Sequence, residues 1–475
     1  MSSRARAAFL ALAVATLAGC GGGGGAARPD VLLGVLDTVR ADRCSAYGYA
    51  RPTTIQLAAF AQVGTLFEDV TAPGAWTVPS HASLFTGKGP WEHGADLLED
   101  APDGSIRVGA LRAELPTLAE TFARAGYRTV AVAANDWLGP EFGLTRGFER
   151  AHVVRSDALV MEEVARELAA RDARPLFLFV NLMTAHSPYE DGPGEWSVGA
   201  VAGSSAPAAA WLRPYVLART PPSVHLARET PPDGLDGFTR YLAGTLAIPP
   251  GGMQLLSQLY DAGVRGADFS LGRILEAWIA RAPDSVVAVT ADHGEAFAEH
   301  GWVEHRGAVY PELVRVPLVV AAPGALPAGA RVREPVQLQD LHPTLLELAG
   351  LAPPAASSLV AVAKGAKREA PIVAQAPPYG RWKRVVGGRF AQAWRLYRRG
   401  DLALVTSDGG ASELYDVARD PAMRQDLAPQ GGERLAALQR ESADFFAAAA
   451  RPATGAVAIP PETLERLRAL GYAEE

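Results

Sequence analysis

The sequence predicts an α/β fold: a doubly wound, mostly parallel sheet flanked by helices, with a small C-terminal α+β subdomain. Continuous apolar runs, typical of strands buried on both faces of a parallel sheet, lie at 30–37, 129–133, 176–181, 286–290 and 316–321. Helical patterns alternate with them at 115–125, 158–170 and 253–280. In such sheets ligands bind beyond the carboxyl ends of the strands, so polar residues at those ends are candidate site residues.

Composition narrows the class of protein. The chain has 475 residues, is 48% hydrophobic and carries a net charge of −7, which suits a folded protein with a large core. No basic stripe stands out, so we expect no nucleic-acid partner. The chain holds only two cysteines, Cys20 and Cys44, so no disulfide framework is expected.

The N-terminus is typical of a secretory signal. Arg4 and Arg6 precede an apolar run over 7–18, which is shorter than the roughly 20 residues that span a membrane. The run ends in Leu-Ala-Gly-Cys, which resembles a bacterial lipoprotein box and implies lipidation of Cys20. We therefore expect a signal peptide at 1–20, a glycine-rich tether at 21–28, and a periplasm-facing or extracellular protein anchored in the cell envelope. The alternatives are a plain signal peptide and an apolar tail without a targeting role.

The remainder divides into two parts. A catalytic domain is expected over 29–367, and its stretch 192–252, rich in Pro, Ala, Gly and Ser, is interpreted as an insertion that forms either a lid or surface decoration. The C-terminal subdomain and helical tail are expected over 368–475. Its predicted elements are strands at 381–386, 393–397 and 402–406 and helices at 432–449 and 461–470.

One segment carries a specific motif. Trp76 to Gly87 reads WTVPSHASLFTG and resembles the sulfatase signature, in which Cys or Ser, any residue, Pro, Ser and Arg open a helix that Thr-Gly closes. Further segments resemble sulfatases in the same order along the chain: LDTVRAD at 36–42, HSPY at 186–189, DHGE at 292–295 and ELYD at 413–416. The resemblance implies an alkaline-phosphatase-like fold and a metal-dependent hydrolase of sulfate or phosphate esters.

Asp37, Asp292 and His293 lie at or just after predicted strand ends. Two carboxylates and one imidazole suit Zn, Mn or Mg, whereas the nitrogen ligand makes Ca less favoured. We expect one or two divalent metals, and the position of Thr77 in the signature adds its hydroxyl to the ligand set. The alternative for any single Asp-His pair is a surface or loop pair.

Thr77 occupies the position of the sulfatase nucleophile, at the start of a helix whose first turn contains Pro79. Backbone N–H groups at that end face an anion, and a hydroxyl that touches a divalent cation loses its proton more easily. The alternative role for Thr77 is an ordinary N-cap.

Other candidates follow from the resemblance, each with a structural alternative. His81 stands where the family has Arg and is expected to contact the nucleophile or a substrate oxygen, or to pack within its helix. Lys88 and Asn135 lie near family substrate-binding positions, and the alternative for Lys88 is a solvated surface residue. His186 and His305 are candidates for a general acid or for ligands of a second metal, and otherwise for satisfied loop or core histidines.

Three departures from the family bear on the chemistry. Formylglycine forms from Cys or Ser, so Thr77 implies that no formylglycine is present. Thr38 replaces the second Asp of the usual pair, and the family lysine near Asn135 is absent. A sulfated threonine cannot release sulfate by elimination, whereas water can open a phosphothreonine by in-line attack, so phosphate or phosphonate esters are candidate substrates beside sulfates.

Two other functions remain open. One is a transferase that moves a phosphoethanolamine-type group within the cell envelope, and the other is a binding protein without catalysis. The retention of Asp37, Thr77, Asp292 and His293 favours an enzyme acting on a small-molecule, glycan or lipid ester.

Overall fold

A computed structural model of the chain describes residues 28–98, 107–187, 189, 237–351, 358–449 and 454–469. The predicted signal peptide, lipidation site Cys20 and most of the tether lie outside the described residues, as does the expected insertion up to residue 236.

The described strands lie along the chain as follows: β1 (Val31–Leu36), β2 (Thr65–Phe67), β3 (Val70–Thr71), β4 (Arg128–Ala133), β5 (Arg150–Val153), β6 (Leu176–Leu182), β7 (Val286–Thr290), β8 (Ala296–Phe297), β9 (Val303–Glu304), β10 (Leu318–Ala321), β11 (Arg331–Val332), β12 (Val336–Gln337), β13 (Ile372–Ala376), β14 (Trp394–Arg399), β15 (Leu402–Ser407) and β16 (Ser412–Asp416). The described α-helices are α1 (Ile55–Phe60), α2 (Thr77–Thr86), α3 (Pro90–His93), α4 (Leu118–Arg124), α5 (Asp157–Ala169), α6 (Gly237–Leu242), α7 (Gly252–Arg281), α8 (Pro311–Val314), α9 (Leu341–Leu348), α10 (Leu359–Ala363), α11 (Gly380–Val385), α12 (Gly432–Ala449) and α13 (Pro461–Ala469).

The central sheet contains eight strands in the order β11-β2-β10-β7-β1-β6-β4-β5. Within it β10 runs antiparallel to both of its neighbours, and every other pairing is parallel. The central strands β1, β4, β6 and β7 are buried along their whole length, which explains their continuous apolar sequences. The predicted fold class, a mostly parallel α/β sheet flanked by helices, is confirmed.

Two groups of helices pack on this sheet. The long helix α7 contacts α1 and α5, whereas α2 contacts α3, α4 and α9. The predicted helix at 253–280 is uninterrupted from Gly252 to Arg281, and it buries apolar residues along its length, including Leu256, Leu271 and Trp278. Burial of that long apolar face stabilises the helix more than intrinsic propensity does.

The C-terminal part forms a second, antiparallel sheet in the order β13-β14-β15-β16, against which α12 packs. The strand predicted at 381–386 is wrong, because that segment forms helix α11. The helical turn buries the Trp382 ring, which lies 6.0 Å from the ring of Trp302, and leaves Lys383 and Arg384 exposed.

Several side chains attach this second sheet to the first. Arg398 pairs with Asp69 at 2.7 Å. Nδ1 of His300 lies 2.8 Å from Glu312, and its Nε2 lies 2.8 Å from the carbonyl oxygen of Met423. The His300 ring stacks on the ring of Tyr310.

Among the described helices there is none whose length and apolar content would let it cross a membrane.

Candidate metal and catalytic site

Polar residues from four neighbouring strands meet at one edge of the central sheet. Asp37 directly follows β1, Asn181 lies in β6, Asn135 follows β4 and Asp292 follows β7. The register places Val35 of β1 opposite both Asn181 and the last residue of β7, so these strand ends lie side by side. The parallel arrangement therefore brings together residues that are up to about 250 positions apart in the chain.

Asp37, Asp292 and His293 form a compact buried cluster, in which one ligand atom of each lies within 4.8 Å of the others. Nε2 of His293 lies 3.3 Å from Oδ2 of Asp292 and 3.9 Å from Oδ1 of Asp37. These three atoms are buried and have no hydrogen-bond partner among the described residues. Buried polar atoms are rarely left unpartnered, so three of them converging on one point indicate a cation site.

Hydrogen bonds hold both carboxylates in place through their other oxygen. Oδ2 of Asp37 accepts from the amide nitrogens of Asn135 at 2.7 Å and Asn181 at 3.2 Å. Oδ1 of Asp292 accepts from the backbone N–H of Thr38 at 3.2 Å and of His293 at 3.0 Å. Each carboxylate thus keeps one oxygen for the centre of the cluster, as oriented metal ligands do.

The histidine is oriented in a similar way. Nδ1 of His293 lies 3.0 Å from the carbonyl oxygen of Gly294, to which it donates when protonated there. That hydrogen bond selects the tautomer whose Nε2 carries the lone pair, which is the form that binds a metal.

The electrostatics also fit a divalent cation. Burial, followed by the charge of Asp292, raises the pKa of Asp37 to about 6. Burial raises the pKa of Asp292 to about 7 and lowers the pKa of His293 to about 4. Two buried carboxylates beside a neutral imidazole are unfavourable by themselves, and a cation among them would favour the ionised forms. The donor set of two oxygens and one nitrogen suits Zn, Mn or Mg.

Thr77 lies at this cluster. It is the first residue of α2, and Trp76, with φ of −164°, is the N-cap, so the alternative role of Thr77 as N-cap does not apply. Oγ1 of Thr77 accepts a hydrogen bond of 3.1 Å from the amide nitrogen of Asn135, which also donates to Asp37. Asn135 therefore links the candidate nucleophile to a candidate metal ligand, and its amide nitrogen faces protein groups.

His81 lies one turn further along α2, fully buried. Its Nδ1 is 2.9 Å from the carbonyl oxygen of Thr77 and 3.6 Å from Oδ2 of Asp292, and its ring packs edge-on against Phe85 and Phe179. Burial lowers its pKa to about 4, so the ring is neutral at neutral pH. The structure thus shows a packed helix histidine that contacts the backbone of the nucleophile residue.

His186 and His305 line the site on the side of His293. The ring of His305 lies 4.6 Å from that of His293 and 5.0 Å from that of His186. Nδ1 of His186 is 2.7 Å from the carbonyl oxygen of Ser187, and Nδ1 of His305 is 3.2 Å from Glu295. The structure therefore brings both predicted histidines to the cluster.

Lys88 is not brought to the cluster. It follows the opposite end of α2, roughly 15 Å along the helix axis from Thr77, and is exposed and paired with Glu92 at 3.3 Å. The placement corresponds to the surface alternative for Lys88, and the predicted substrate contact has no support from this position.

Sequence reasoning missed two residues of the site. Asn181 ends an apolar strand and holds Asp37, and a polar residue closing such a run was an available signal. Arg306 follows His305, is 7% exposed, and lies close enough for its charge to help lower the pKa of His186, His293 and His305. Its φ of 95° is rare for a side chain of this size and has no sequence signal.

Comparison with known proteins identifies the family and relatives of similar fold. The sulfatase family model matches residues 29–351, and the model of the N-sulphoglucosamine sulphohydrolase C-terminal region matches residues 298–440. A sulfatase of Formosa agariphila is 24% identical over 373 residues, which cover 68% of this chain and 70% of that protein.

Two solved structures share the fold. The phosphonate monoester hydrolase of Agrobacterium radiobacter superimposes with a TM-score of 0.65 at 20% identity, covering 89% of this chain and 95% of that one. A 2-O GAG sulfatase superimposes with a TM-score of 0.65 at 20% identity, covering 89% and 92%.

Proposed function

Because this chain belongs to the sulfatase family and is a hydrolase of sulfate or phosphate ester bonds, we propose that Thr77 is its nucleophile. The observation that carries the proposal is the bridging amide of Asn135, which bonds both Oγ1 of Thr77 and Oδ2 of Asp37. That contact holds the hydroxyl at the buried cluster of Asp37, Asp292 and His293, which would bind the metal.

A divalent cation held by these residues would lower the pKa of an adjacent hydroxyl and polarise the ester oxygen. Residues of the chain bind the anion, orient the hydroxyl and limit the access of water. The α2 N-terminus directs backbone N–H groups towards an anionic ester, since Thr77 is its first residue. Asn135 orients the hydroxyl, and the burial of Thr77, at 1% exposure, limits access of bulk water during attack.

We propose His186 and His305 as the proton-transfer residues. With Nδ1 of His186 donating to the Ser187 carbonyl, a neutral ring presents Nε2 as a proton acceptor. Burial lowers its pKa to about 4, which keeps the ring neutral at neutral pH and able to accept a proton.

We further propose a preference for phosphate or phosphonate esters over sulfate esters. A phosphothreonine is opened by in-line attack of water, whereas a threonine sulfate has no elimination route of the kind that a hydrated aldehyde provides. A small-molecule, glycan or lipid ester is the proposed substrate. One structural neighbour, a 2-O GAG sulfatase, supports a glycan as the substrate class. The transferase and the silent binding protein are not favoured by these comparisons.

The test is a paired turnover assay with an aryl sulfate and with aryl phosphate and phosphonate monoesters, each with and without a chelator. Thr77→Ala is expected to lower kcat by about a thousandfold or more, whereas Thr77→Ser keeps a hydroxyl and retains measurable turnover. Thr86→Ala is the matched control, because it removes a hydroxyl from the far end of the same helix, where Oγ1 bonds the carbonyl of Ala82.

Chelator-sensitive phosphate ester turnover that depends on Thr77 would support the proposal. Dominant turnover of the aryl sulfate would contradict the substrate preference while leaving the nucleophile intact. Wild-type activity in Thr77→Ala would overturn the assignment of the nucleophile.

We also propose that the protein is anchored in the cell envelope through Cys20. The support is the sequence of the N-terminal segment alone. Metabolic labelling with a radioactive fatty acid is expected to mark the wild type and not Cys20→Ala, and label in the variant would refute the anchor.

A further inference from the structure

A pocket of about 440 Å³ lies between the loops beside the central sheet and the C-terminal subdomain. Its walls come from residues within 40–43, 299–315 and 421–424 together with Tyr49, and none of the candidate metal or catalytic residues lines it. The volume falls within the range of small-ligand sites in proteins. The pocket is therefore a candidate binding site separate from the cluster around Asp37.

The carboxylates in the pocket wall are already paired with cations. Asp42 lies 2.8 Å from Arg40, and Glu299 also lies 2.8 Å from Arg40. Glu312 lies 2.8 Å from Nδ1 of His300. Burial acts to raise the pKa of Glu299, but the charge and hydrogen bond of Arg40 outweigh it, and its pKa lies below the usual value. Asp42 and Glu299, whose pKa values are both lowered, therefore stay ionised, and all three carboxylates are paired within the wall.

Two guanidinium groups of the same wall have no such partner. Within the described part of the chain, neither Arg315 nor Arg424 forms an ion pair. Arg315 donates only from Nη2 to the carbonyl oxygen of Glu68 at 3.1 Å, and its Nε is buried without a partner. Arg424 is exposed at the mouth of the pocket. The wall thus carries positive charge that its own carboxylates do not balance.

We propose that this pocket binds an oxyanion group, such as sulfate, phosphate or carboxylate, with Arg315 and Arg424 as its cationic residues. The planar fork of a guanidinium group matches the paired oxygens of such an anion. The group is either a free inorganic anion or an acidic group of a larger molecule.

The pocket backs onto the loop that carries His293. Nη1 of Arg40 donates to the carbonyl oxygen of Glu295 at 2.9 Å. A Cβ added at Gly294 would lie 3.0 Å from Cγ of Arg40, so the Arg40 side chain packs directly on this loop. The anion site and the metal cluster therefore lie on opposite sides of a shared loop and are expected to bind independently.

Isothermal titration calorimetry at constant ionic strength tests the proposal on the full folded protein. The titrants are sodium sulfate, sodium phosphate and a monosulfated disaccharide. The variants are Arg424→Met, the double variant Arg315→Met/Arg424→Met, and Asp292→Asn, which alters the metal cluster only. Arg419→Met is the matched control, because Arg419 is exposed on the same segment and pairs with Asp416 outside the pocket.

Binding of at least one titrant is expected in the wild type, in Arg419→Met and in Asp292→Asn. Arg424→Met is expected to weaken it by about tenfold, and the double variant more. Arg424→Met changes an exposed residue, so it tests the site even if the double variant fails to fold. Inorganic binding identifies a free anion as sufficient, and binding of the disaccharide alone identifies the larger molecule as the source. The proposal is overturned by absence of binding in the wild type, by wild-type affinity in Arg424→Met, or by loss of all binding in Asp292→Asn.

Discussion

Replacing Asp292 with asparagine is expected to stabilise the metal-free protein while abolishing metal binding. In the absence of a cation, burial raises the pKa of Asp292 from 3.8 to about 7. Each pKa unit corresponds to about 1.4 kcal/mol, so the ionised side chain costs about 4 kcal/mol of folding free energy above pH 7. The pKa is raised in the folded state, so stability is fully present below pH 4 and is lost as the pH rises through 7.

Asparagine is nearly isosteric and keeps the local contacts. Its Oδ1 can accept from the N–H groups of Thr38 and His293, as Oδ1 of Asp292 does. The amide nitrogen of the asparagine would take the position of Oδ2, which lies 3.3 Å from Nε2 of His293. It would donate a hydrogen bond to the lone pair of Nε2. The variant therefore removes a buried charge without leaving a cavity or a new unpartnered group.

Urea unfolding in the presence of a chelator measures the effect. At pH 8 the free energy of unfolding of Asp292→Asn is expected to exceed that of the wild type by up to about 4 kcal/mol, and the difference should shrink towards pH 5. Added Zn²⁺ or Mn²⁺ should stabilise the wild type and not the variant. A variant that is less stable than the wild type at both pH values would refute the account of this cluster.

Three further predictions concern other contacts. Burial acts to lower the pKa of His300, but the hydrogen bond and charge of Glu312 raise that pKa above its usual value. The pairing of protonated His300 with Glu312 therefore stabilises the fold below pH 6.5, and this contribution is lost as the pH rises through the raised pKa. His300→Gln is expected to remove that pH dependence and about 1–3 kcal/mol at pH 6, measured by urea unfolding. Asn135→Ala removes the donor to Thr77 and should lower kcat about 10- to 100-fold in a steady-state assay with an unchanged melting temperature as control. Trp302→Ala removes a fully buried ring from an aromatic cluster and should cost about 3–5 kcal/mol, whereas a loss below 1 kcal/mol would contradict that packing.

The central sheet could be predicted because its strands have one kind of environment. A strand buried on both faces needs a continuous apolar run, and the runs at 286–290 and 176–181 gave β7 and β6 nearly to the residue. The segment at 381–386 has mixed character, and a short apolar and basic run fits a strand or a helical turn equally. Its helix depends on burying Trp382 against Trp302, a contact between residues 80 positions apart that no local pattern contains.

The site residues also divide into those whose position the sequence predicts and those whose position it does not. The meeting of Asp37, Thr77, Asp292 and His293 could be predicted, because strand ends of one sheet must meet at one edge and a motif marks the helix start. The position of Lys88 followed only from its place after the motif, and the length of α2 carries it away from the cluster.

The side of the site lined by His186, His293 and His305 takes its positive charge from a fourth residue. Burial lowers the pKa of His186 and of His293 to about 4, and burial followed by the charge of His293 lowers the pKa of His305 well below its usual value. All three rings are therefore neutral at pH 7, a state that suits proton acceptors or metal ligands and not cations. The guanidinium of Arg306 lies beside them, and its positive charge contributes to these shifts. Under the proposed function, the neutral imidazoles would accept a proton and Arg306 would supply positive charge near the ester, so different residues on this side of the site would meet these two requirements of ester hydrolysis.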